Sequence, residues 1–156
     1  MKIHLLRHAK TERTSNSGKD FDRNLARKGL KQCELLQNYL QNKNFDNTVF
    51  LVSTATRTTQ TAEISIPNQK FNFLHSLYLS LPRTILDEIE KVENGFDVFI
   101  VGHNEGISQI ATYLSGEHLN LKTGHYIEFN VPAIDDYKLL TRGCAIISDS
   151  FRPEVH

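Results

Sequence analysis

Short apolar runs alternate with amphipathic segments through the first two thirds of the chain, and this alternation limits the fold more than any other feature. A run of four to six apolar residues between polar ones is typical of a buried strand, whereas apolar residues at every third or fourth position are typical of a helix. Strands that alternate with helices favour a parallel sheet covered on both sides. The sequence therefore predicts an α/β fold, a three-layer α/β/α sandwich around a mostly parallel central sheet.

The predicted elements follow one another without an internal repeat, a low-complexity tract or a linker, so we expect one domain over residues 1–156. Pro67 ends the second helix, Pro82 suits a first helical turn, and Gly116 closes the fourth helix. The predicted helices are 27–43, 55–65, 82–93 and 105–116. The predicted strands are 3–6, 47–54, 97–103, 125–131, 137–141 and 144–150, with a weaker extended segment at 71–79.

The overall charge of the chain is balanced, with 18 Lys and Arg residues against 18 Asp and Glu residues. This balance argues against nucleic acid as a partner, although it leaves room for a local basic pocket. The apolar stretch at the start is too short for a signal peptide, and no window approaches a membrane span, so we expect a cytoplasmic protein with no membrane partner. Cys33 and Cys144 lie far apart in apolar patterns and are expected to be free core thiols.

Three predicted strands end in residues that carry chemistry. Arg7 and His8 follow the first strand, Ser53 and Arg57 follow the second, and His103 and Asn104 follow the strand that begins at Asp97. The carboxyl ends of parallel strands in one sheet meet at the same edge, which is where ligands bind in open α/β sheets. Two histidines and two arginines are therefore expected to converge on one pocket.

These residue types suit a phosphoryl group. An arginine is always charged, and its planar fork of donors matches the oxygens of phosphate. A neutral imidazole is a nucleophile at pH 7 and can form a covalent bond to phosphorus. The pattern thus indicates phosphoryl chemistry, although an Arg-His pair alone would more often be a surface pair.

The same segments resemble the histidine phosphatase superfamily, whose mark is an Arg-His-Gly or Arg-His-Ala motif after the first strand. "LLRHAKT" fits that motif, "STATRTTQTAE" resembles the second motif of the family, and "VGHNEG" resembles the third. "DFDRNLARKG" and "LYLS" are most similar to segments of the short phosphohistidine phosphatases of the SixA type. The resemblance covers roughly residues 1–130, and it implies a phosphoglycerate mutase-like fold.

By this resemblance His8 is the nucleophile that becomes phosphorylated, while Arg7 and Arg57 hold the phosphoryl oxygens. His103 would donate a hydrogen bond to the same oxygens in the transition state. Water then releases phosphate ion from His8. No metal and no other cofactor is expected, because the cationic side chains already supply the electrostatic stabilisation.

Four further residues are expected to bind the substrate: Ser53, Asn104, Thr11 and Arg23. Ser53 is interpreted as a phosphate contact or a helix cap rather than a nucleophile. Thr11 could equally satisfy a turn, and Arg23 could line the pocket rim or pair with Asp20 or Asp22.

The chain departs from the larger members of the superfamily in one respect. These carry an acidic residue after the second helix that protonates an alkoxide leaving group, whereas "FLHSLYLS" contains no Asp or Glu. An imidazole can leave from a phosphoramidate as a neutral heterocycle, so the missing acid favours an N–P substrate or an activated ester. Four carboxylates on loops remain alternative acids: Glu12, Asp20, Asp22 and Glu105.

The leading hypothesis is a metal-independent phosphatase that acts through a phosphohistidine intermediate on phosphohistidine in a protein. The short chain leaves little sequence for a lid, and an open site suits a protein side chain. The alternatives are a phosphomonoesterase for a small phosphorylated substrate and a non-catalytic module that binds phosphate or a phosphoprotein. His4 is interpreted as a core or sheet-edge histidine, and the remaining four histidines as solvated or locally bonded: His75, His118, His125 and His156.

Overall fold

The computed structural model describes all residues from Met1 to His156. It contains six strands and four α-helices. The strands are β1 (Lys2–Arg7), β2 (Thr48–Ser53), β3 (Phe71–Leu74), β4 (Asp97–Gly102), β5 (Tyr126–Asn130) and β6 (Ile146–Phe151). The helices are α1 (Arg27–Leu40), α2 (Thr56–Ser65), α3 (Pro82–Glu90) and α4 (Gly106–Ser115).

All six strands form one sheet in the order β3-β2-β4-β1-β5-β6. The four strands from β3 to β1 pair in parallel, whereas β5 and β6 add an antiparallel edge. Parallel strands need crossover connections, and these are supplied here by the helices. The predicted sandwich with a mostly parallel sheet is confirmed.

Alternate residues of the central strands pack on opposite faces of the sheet, as the pleat requires. On one face Ile3 and Leu5 of β1 join an apolar cluster with residues of α3 and α4. On the other face Leu6 joins Phe50 and Phe99 in a second cluster with residues of α1 and α2. Burial on both faces explains why these strands read as continuous apolar runs.

The predicted strand at 137–141 is wrong, because Tyr137–Leu139 form a short 3₁₀ turn. The Asp136 carboxylate accepts a hydrogen bond from the Lys138 backbone N–H at 2.9 Å, which is the local bonding that favours a turn over a strand. The buried Tyr137 hydroxyl donates to the Phe96 carbonyl at 2.6 Å and fixes the turn against the core. Tertiary contacts thus outweigh the apolar pattern of this segment.

Several predicted bounds also extend too far. The strand within 71–79 ends at Leu74, and a 3₁₀ turn follows over His75–Leu77. Helix α1 ends at Leu40 rather than 43, and α3 ends at Glu90 rather than 93. The terminal turns of helices carry few packing constraints, so the sequence specifies the existence of an element better than its ends.

Gly106, at the start of α4, permits a close approach on the edge of the sheet where the candidate site lies. A Cβ atom at this position would lie 2.3 Å from the Ser80 carbonyl oxygen. Only glycine therefore allows the segment after β3 to pack directly on the start of α4. This contact holds Tyr78 and Leu79 beside the residues that follow β4.

Both cysteines are free thiols, as predicted, with Cys33 buried and Cys144 partly buried against the core. None of the helices combines the length and the apolar character needed to cross a membrane.

Candidate active site

The residues that follow β1, β2 and β4 meet at one edge of the sheet because these three strands are parallel neighbours. The His8 backbone N–H donates to the Gly102 carbonyl at 3.1 Å, which extends the pairing of β1 with β4. The rings of His8 and His103 consequently lie side by side, with 5.4 Å between their centroids. The structure thus brings together two histidines that are 95 positions apart in the sequence (103 − 8).

A cavity of about 330 Å³ opens at this edge. We call it the catalytic cavity. Its walls carry four basic side chains besides the two histidines, and they include seven of the eight predicted site residues. The lining residues are Arg7, His8, Lys10, Thr11, Asp20, Arg23, Arg57, Leu79, His103, Asn104 and Thr123.

The tautomer of His8 is set by a hydrogen bond to the backbone of the next residue. Its Nδ1 lies 2.8 Å from the Ala9 carbonyl oxygen, which can only accept, so Nδ1 carries the proton and Nε2 keeps a lone pair. Burial lowers the pKa of His8 to about 4, and the charges of Arg57 and Arg7 act in the same direction. His8 is therefore a neutral imidazole at pH 7 whose Nε2 has a free lone pair.

Two arginines are held at the cavity through fixed hydrogen bonds. Arg7 donates from Nη1 to the Leu121 carbonyl at 2.8 Å. Arg57, only 2 % exposed, donates at 2.9 Å both to the Asp20 carbonyl oxygen and to the Asp20 carboxylate. The Nε–H of each arginine is buried without a partner. Buried donors without partners are costly, so this arrangement suits an anion with several acceptor oxygens.

Asp20 is the only carboxylate that lines the catalytic cavity. Besides Arg57, it accepts hydrogen bonds from Arg23 at 3.0 Å and from the Tyr78 hydroxyl at 2.6 Å. Desolvation acts to raise its pKa, but the hydrogen bonds from Tyr78 and Arg57 outweigh this effect and lower the pKa to about 2. Asp20 is therefore ionised at neutral pH and cannot serve as a proton donor.

Ser53 is the predicted site residue that does not line the cavity. It is fully buried, and its Oγ lies 2.8 Å from Nε2 of His103. Position 53 is the last residue of β2. Ser53 therefore contacts His103 rather than the cavity itself, and its direct contact with the substrate stays a prediction.

Arg23, Thr11 and Asn104 lie at the rim, each with protein partners. Arg23 both lines the cavity and pairs with Asp20, so the two alternatives for this residue hold together. Its Nη1 also donates to the Thr11 hydroxyl at 2.8 Å. The Asn104 side chain donates to the Leu121 carbonyl at 3.3 Å and accepts from the Ser108 hydroxyl.

The other three carboxylates considered as acids, Glu12, Asp22 and Glu105, do not line the cavity. Asp22 instead accepts a hydrogen bond from the Ser17 hydroxyl at 2.6 Å. Across residues 1–156 no group of three or more His, Cys, Asp or Glu side chains is arranged to hold a metal ion.

Sequence reasoning missed several walls of the cavity. Leu79 and Thr123 line it, and Tyr78 packs edge-on against His103 with 5.5 Å between the ring centroids. Tyr78 and Leu79 lie in the "LYLS" segment, whose likeness to the SixA type was the only signal available for them. No local pattern marks Thr123, because it reaches the site through the loop that precedes β5.

The remaining histidines lie outside the cavity, as predicted. His75 is 3.0 Å from the Thr54 hydroxyl, and His125 is 3.0 Å from the Ser150 hydroxyl. His118 and His156 are exposed.

A larger cavity of about 830 Å³ between α3 and α4 shares Asn104 with the catalytic cavity but is lined by neither His8 nor His103.

Comparisons with known proteins show the family and the fold of the chain. The sequence profile of the histidine phosphatase superfamily, branch 1, matches residues 3–75. The uncharacterised protein MT1313 of Mycobacterium tuberculosis (strain CDC 1551 / Oshkosh) is 31 % identical over 111 residues, which is 70 % of each chain.

Two solved structures share the fold. The proposed phosphohistidine phosphatase SixA of Nakamurella multipartitia superposes with a TM-score of 0.86 at 20 % identity, over 99 % of this chain and 96 % of that one. The protein histidine phosphatase SixA complexed with tungstate gives a TM-score of 0.78 at 19 % identity, over 96 % of both chains. From the profile match and from the 31 % identity to MT1313 over 70 % of its length, the chain belongs to the histidine phosphatase superfamily, and it has the phosphoglycerate mutase-like fold of the SixA structures.

Proposed function

We propose that this phosphatase of the histidine phosphatase superfamily removes the phosphoryl group from phosphohistidine in a protein, through a covalent intermediate on His8 and without a metal ion. The observation that carries the proposal is the tautomer of the His8 ring. Its Nδ1 is bound to the Ala9 carbonyl, and its Nε2 keeps a lone pair in a cavity that also holds Arg7, Arg57 and His103.

In the first step Nε2 of His8 attacks phosphorus, and the N–P bond of the substrate breaks. The electron pair of that bond stays on the imidazole nitrogen of the substrate. The other nitrogen of that ring carries a proton taken from solvent, so the ring leaves as a neutral imidazole and needs no acid from the cavity. The negative charge on the transferred phosphoryl oxygens is stabilised by the guanidinium groups of Arg7 and Arg57 and by an N–H of His103. These donors are already fixed, so little reorganisation is needed as charge develops.

In the second step water attacks the phosphorus atom of phospho-His8. The bond from phosphorus to Nε2 breaks, its electron pair returns to His8, and inorganic phosphate leaves with the proton balance completed by solvent. The same two arginines stabilise the charge in this step. No metal ion is required, because the cationic side chains supply the stabilisation that a metal would otherwise give.

The carboxylate at the cavity supports an N–P substrate. Asp20 is ionised at neutral pH, since hydrogen bonds from Tyr78 and Arg57 keep its pKa low against the effect of desolvation. No protonated acid therefore faces a leaving oxygen. An alcohol leaves slowly without a proton, whereas an imidazole departs readily as a neutral heterocycle.

Exposed apolar side chains at the opening of the catalytic cavity support a protein substrate. Leu79 lines the catalytic cavity and is 54 % exposed, and the neighbouring Leu81 is also exposed. Exposed apolar side chains at a cavity mouth suit contact with another protein surface. The tungstate bound by a SixA relative with the same fold is an oxyanion, in keeping with a phosphoryl site.

The test measures release of inorganic phosphate in the presence of excess EDTA. The substrates are a protein phosphorylated on histidine with phosphoramidate, an aryl phosphate and an alkyl phosphate. We expect fast release from phosphohistidine, slower release from the aryl ester and little from the alkyl ester, with no change when EDTA is present.

Each other outcome contradicts a different part of the proposal. Activity that EDTA abolishes and zinc or magnesium restores would overturn the metal-independent mechanism. Preferred hydrolysis of the alkyl ester would identify a phosphomonoesterase for small substrates. Binding of phosphate or phosphoprotein without release would identify a non-catalytic module.

A further inference from the structure

His103 and Ser53 form a buried hydrogen-bonded pair at the wall of the catalytic cavity. Ser53 Oγ lies 2.8 Å from Nε2 of His103, and Ser53 is 0 % exposed. His103 lines the cavity, whereas Ser53 does not. Any effect of the Ser53 hydroxyl on the cavity must therefore pass through the His103 ring.

The direction of this hydrogen bond follows from the surroundings of Ser53. Its Oγ is also approached at 3.4 Å by the Ala55 backbone N–H, which can only donate. If Nε2–H of His103 donated as well, the Ser53 hydroxyl proton would be buried with no acceptor, and an unmade hydrogen bond of this kind is costly. If instead the Ser53 hydroxyl donates to Nε2 of His103, the hydroxyl proton has an acceptor, so this is the favoured direction.

That direction defines where His103 carries its proton. Burial lowers the pKa of His103 to about 3, and the nearby His8 and Arg57 act in the same direction, so the ring is neutral at pH 7. A neutral imidazole whose Nε2 accepts has its proton on Nδ1. Nδ1 of His103 is buried and has no partner within the protein.

We propose that Ser53 is a positioning residue that holds His103 as the Nδ1–H tautomer, so that His103 presents a hydrogen-bond donor to an oxygen of the transferred phosphoryl group. This role rests on the proposed phosphatase function. His103 lines the same cavity as Arg7 and Arg57, and its Nδ1–H, which has no partner in the protein, is then a donor whose acceptor is supplied by the substrate. Without the Ser53 hydroxyl the proton is free to move to Nε2, and the donor toward the phosphoryl group is lost.

The direct test is the tautomer of His103, read from long-range ¹H–¹⁵N correlation spectra of the full chain labelled at histidine. In the wild type we expect Nδ1 to carry the proton and Nε2 to show the shift of an accepting nitrogen. Ser53→Ala should populate the Nε2–H tautomer, and Ser53→Thr should restore the wild-type pattern. Ser65→Ala is the matched control, because Ser65 is also a buried serine, at 1 % exposed, and does not line the catalytic cavity.

Kinetics connect this tautomer to the reaction. We expect Ser53→Ala to lower kcat by about 10-fold to 100-fold, the range found when one transition-state hydrogen bond is weakened, with a small change in KM. In a His103→Ala background the same substitution should cost nothing further, because the two residues act as one unit. Ser65→Ala should leave kcat unchanged.

The outcomes separate this proposal from the proposed function. An Nε2–H tautomer in the wild type would overturn the role of Ser53 even if the chain is an active phosphatase, and so would independent, additive losses for Ser53→Ala and His103→Ala. An inactive chain with the expected tautomer would instead contradict the proposed function. The wild-type spectrum decides the tautomer even if Ser53→Ala does not fold.

Discussion

Strand β1 carries a buried histidine in its middle and another just beyond its end, and the two have different environments. His4 is 3 % exposed and His8 is 7 % exposed, and burial lowers the pKa of each to about 4. His4 stacks between aromatic rings, with Nδ1 2.8 Å from the Tyr126 hydroxyl. His8 instead lies among arginines at the carboxyl edge of the sheet.

The difference shows that burial and a lowered pKa do not by themselves distinguish a histidine of the candidate site from a histidine of the core. Around His4, the nearest charge is the buried Glu128 carboxylate, 3.8 Å away, and Glu128 is itself neutralised by Lys43 at 3.3 Å. Around His8, three buried nitrogens lack a partner, and they belong to Arg7, Arg57 and His103. The candidate site thus differs from the core because buried N–H donors without hydrogen-bond partners lie next to the neutral His8 ring.

Replacing His8 gives the largest expected effect. His8→Ala removes the proposed nucleophile, so turnover should fall to background and no phosphoenzyme should form. Rapid quenching with a labelled substrate at alkaline pH, where phosphohistidine persists, should place the label in the wild type on a peptide that contains His8. Label on His103 or Ser53, or an active His8→Ala variant, would remove the distinction between His8 and His4.

The arginines around His8 come next. Arg57→Ala and Arg7→Ala should each lower kcat/KM by about 10²-fold to 10³-fold, the scale of losing a preorganised charged donor. Arg57→Lys should recover little, because an ammonium group cannot replace the planar fork. Inorganic phosphate as a competitive inhibitor should bind these variants more weakly, and its inhibition constant measures this change.

Arg83→Ala is the control, since Arg83 is paired on the surface with Asp87 and lies outside the catalytic cavity. Wild-type kinetics for Arg7→Ala or Arg57→Ala would remove that residue from the site.

The smallest expected effect is at His4, and it concerns stability rather than turnover. The pKa of His4 is lowered to about 4 by burial, so between pH 6.5 and about 4 the unfolded chain binds a proton that the folded chain does not. This histidine therefore makes the folded state less stable as the pH falls through that window. His4→Gln should reduce the free energy of unfolding by about 1–3 kcal/mol at pH 7 and flatten its decline toward pH 4.

Urea unfolding at pH 7 and at pH 5 measures both changes, and kcat at pH 7 serves as the control. A variant with wild-type acid sensitivity would show that another group causes the decline. A large loss of kcat in a folded His4→Gln variant would show that His4 acts on the site and would remove the contrast with His8.

Most of the fold and the main residues of the candidate site could be predicted from the sequence, because both depend on recognising individual strands. Hydrophobic periodicity is local, so β1, β2 and β4 could be recognised one at a time. The shared edge of parallel strands then placed Arg7, His8, Arg57 and His103 together without knowledge of any contact. The strand predicted at 137–141 failed because its turn depends on Asp136 and on packing of Tyr137, neither of which changes the apolar pattern.

By itself, the sequence determined which chemical groups stand at the strand ends, since that depends on residue order alone. Only the tertiary structure decided how those groups are held. Leu121 holds Arg7 across 114 positions, Asp20 holds Arg57 across 37, and Ser53 meets His103 across 50. Such contacts depend on the paths of loops and on the packing of side chains, which have no period that a linear pattern could reveal. They also set the protonation states of Asp20 and His103, because a pKa and a tautomer respond to neighbours in space.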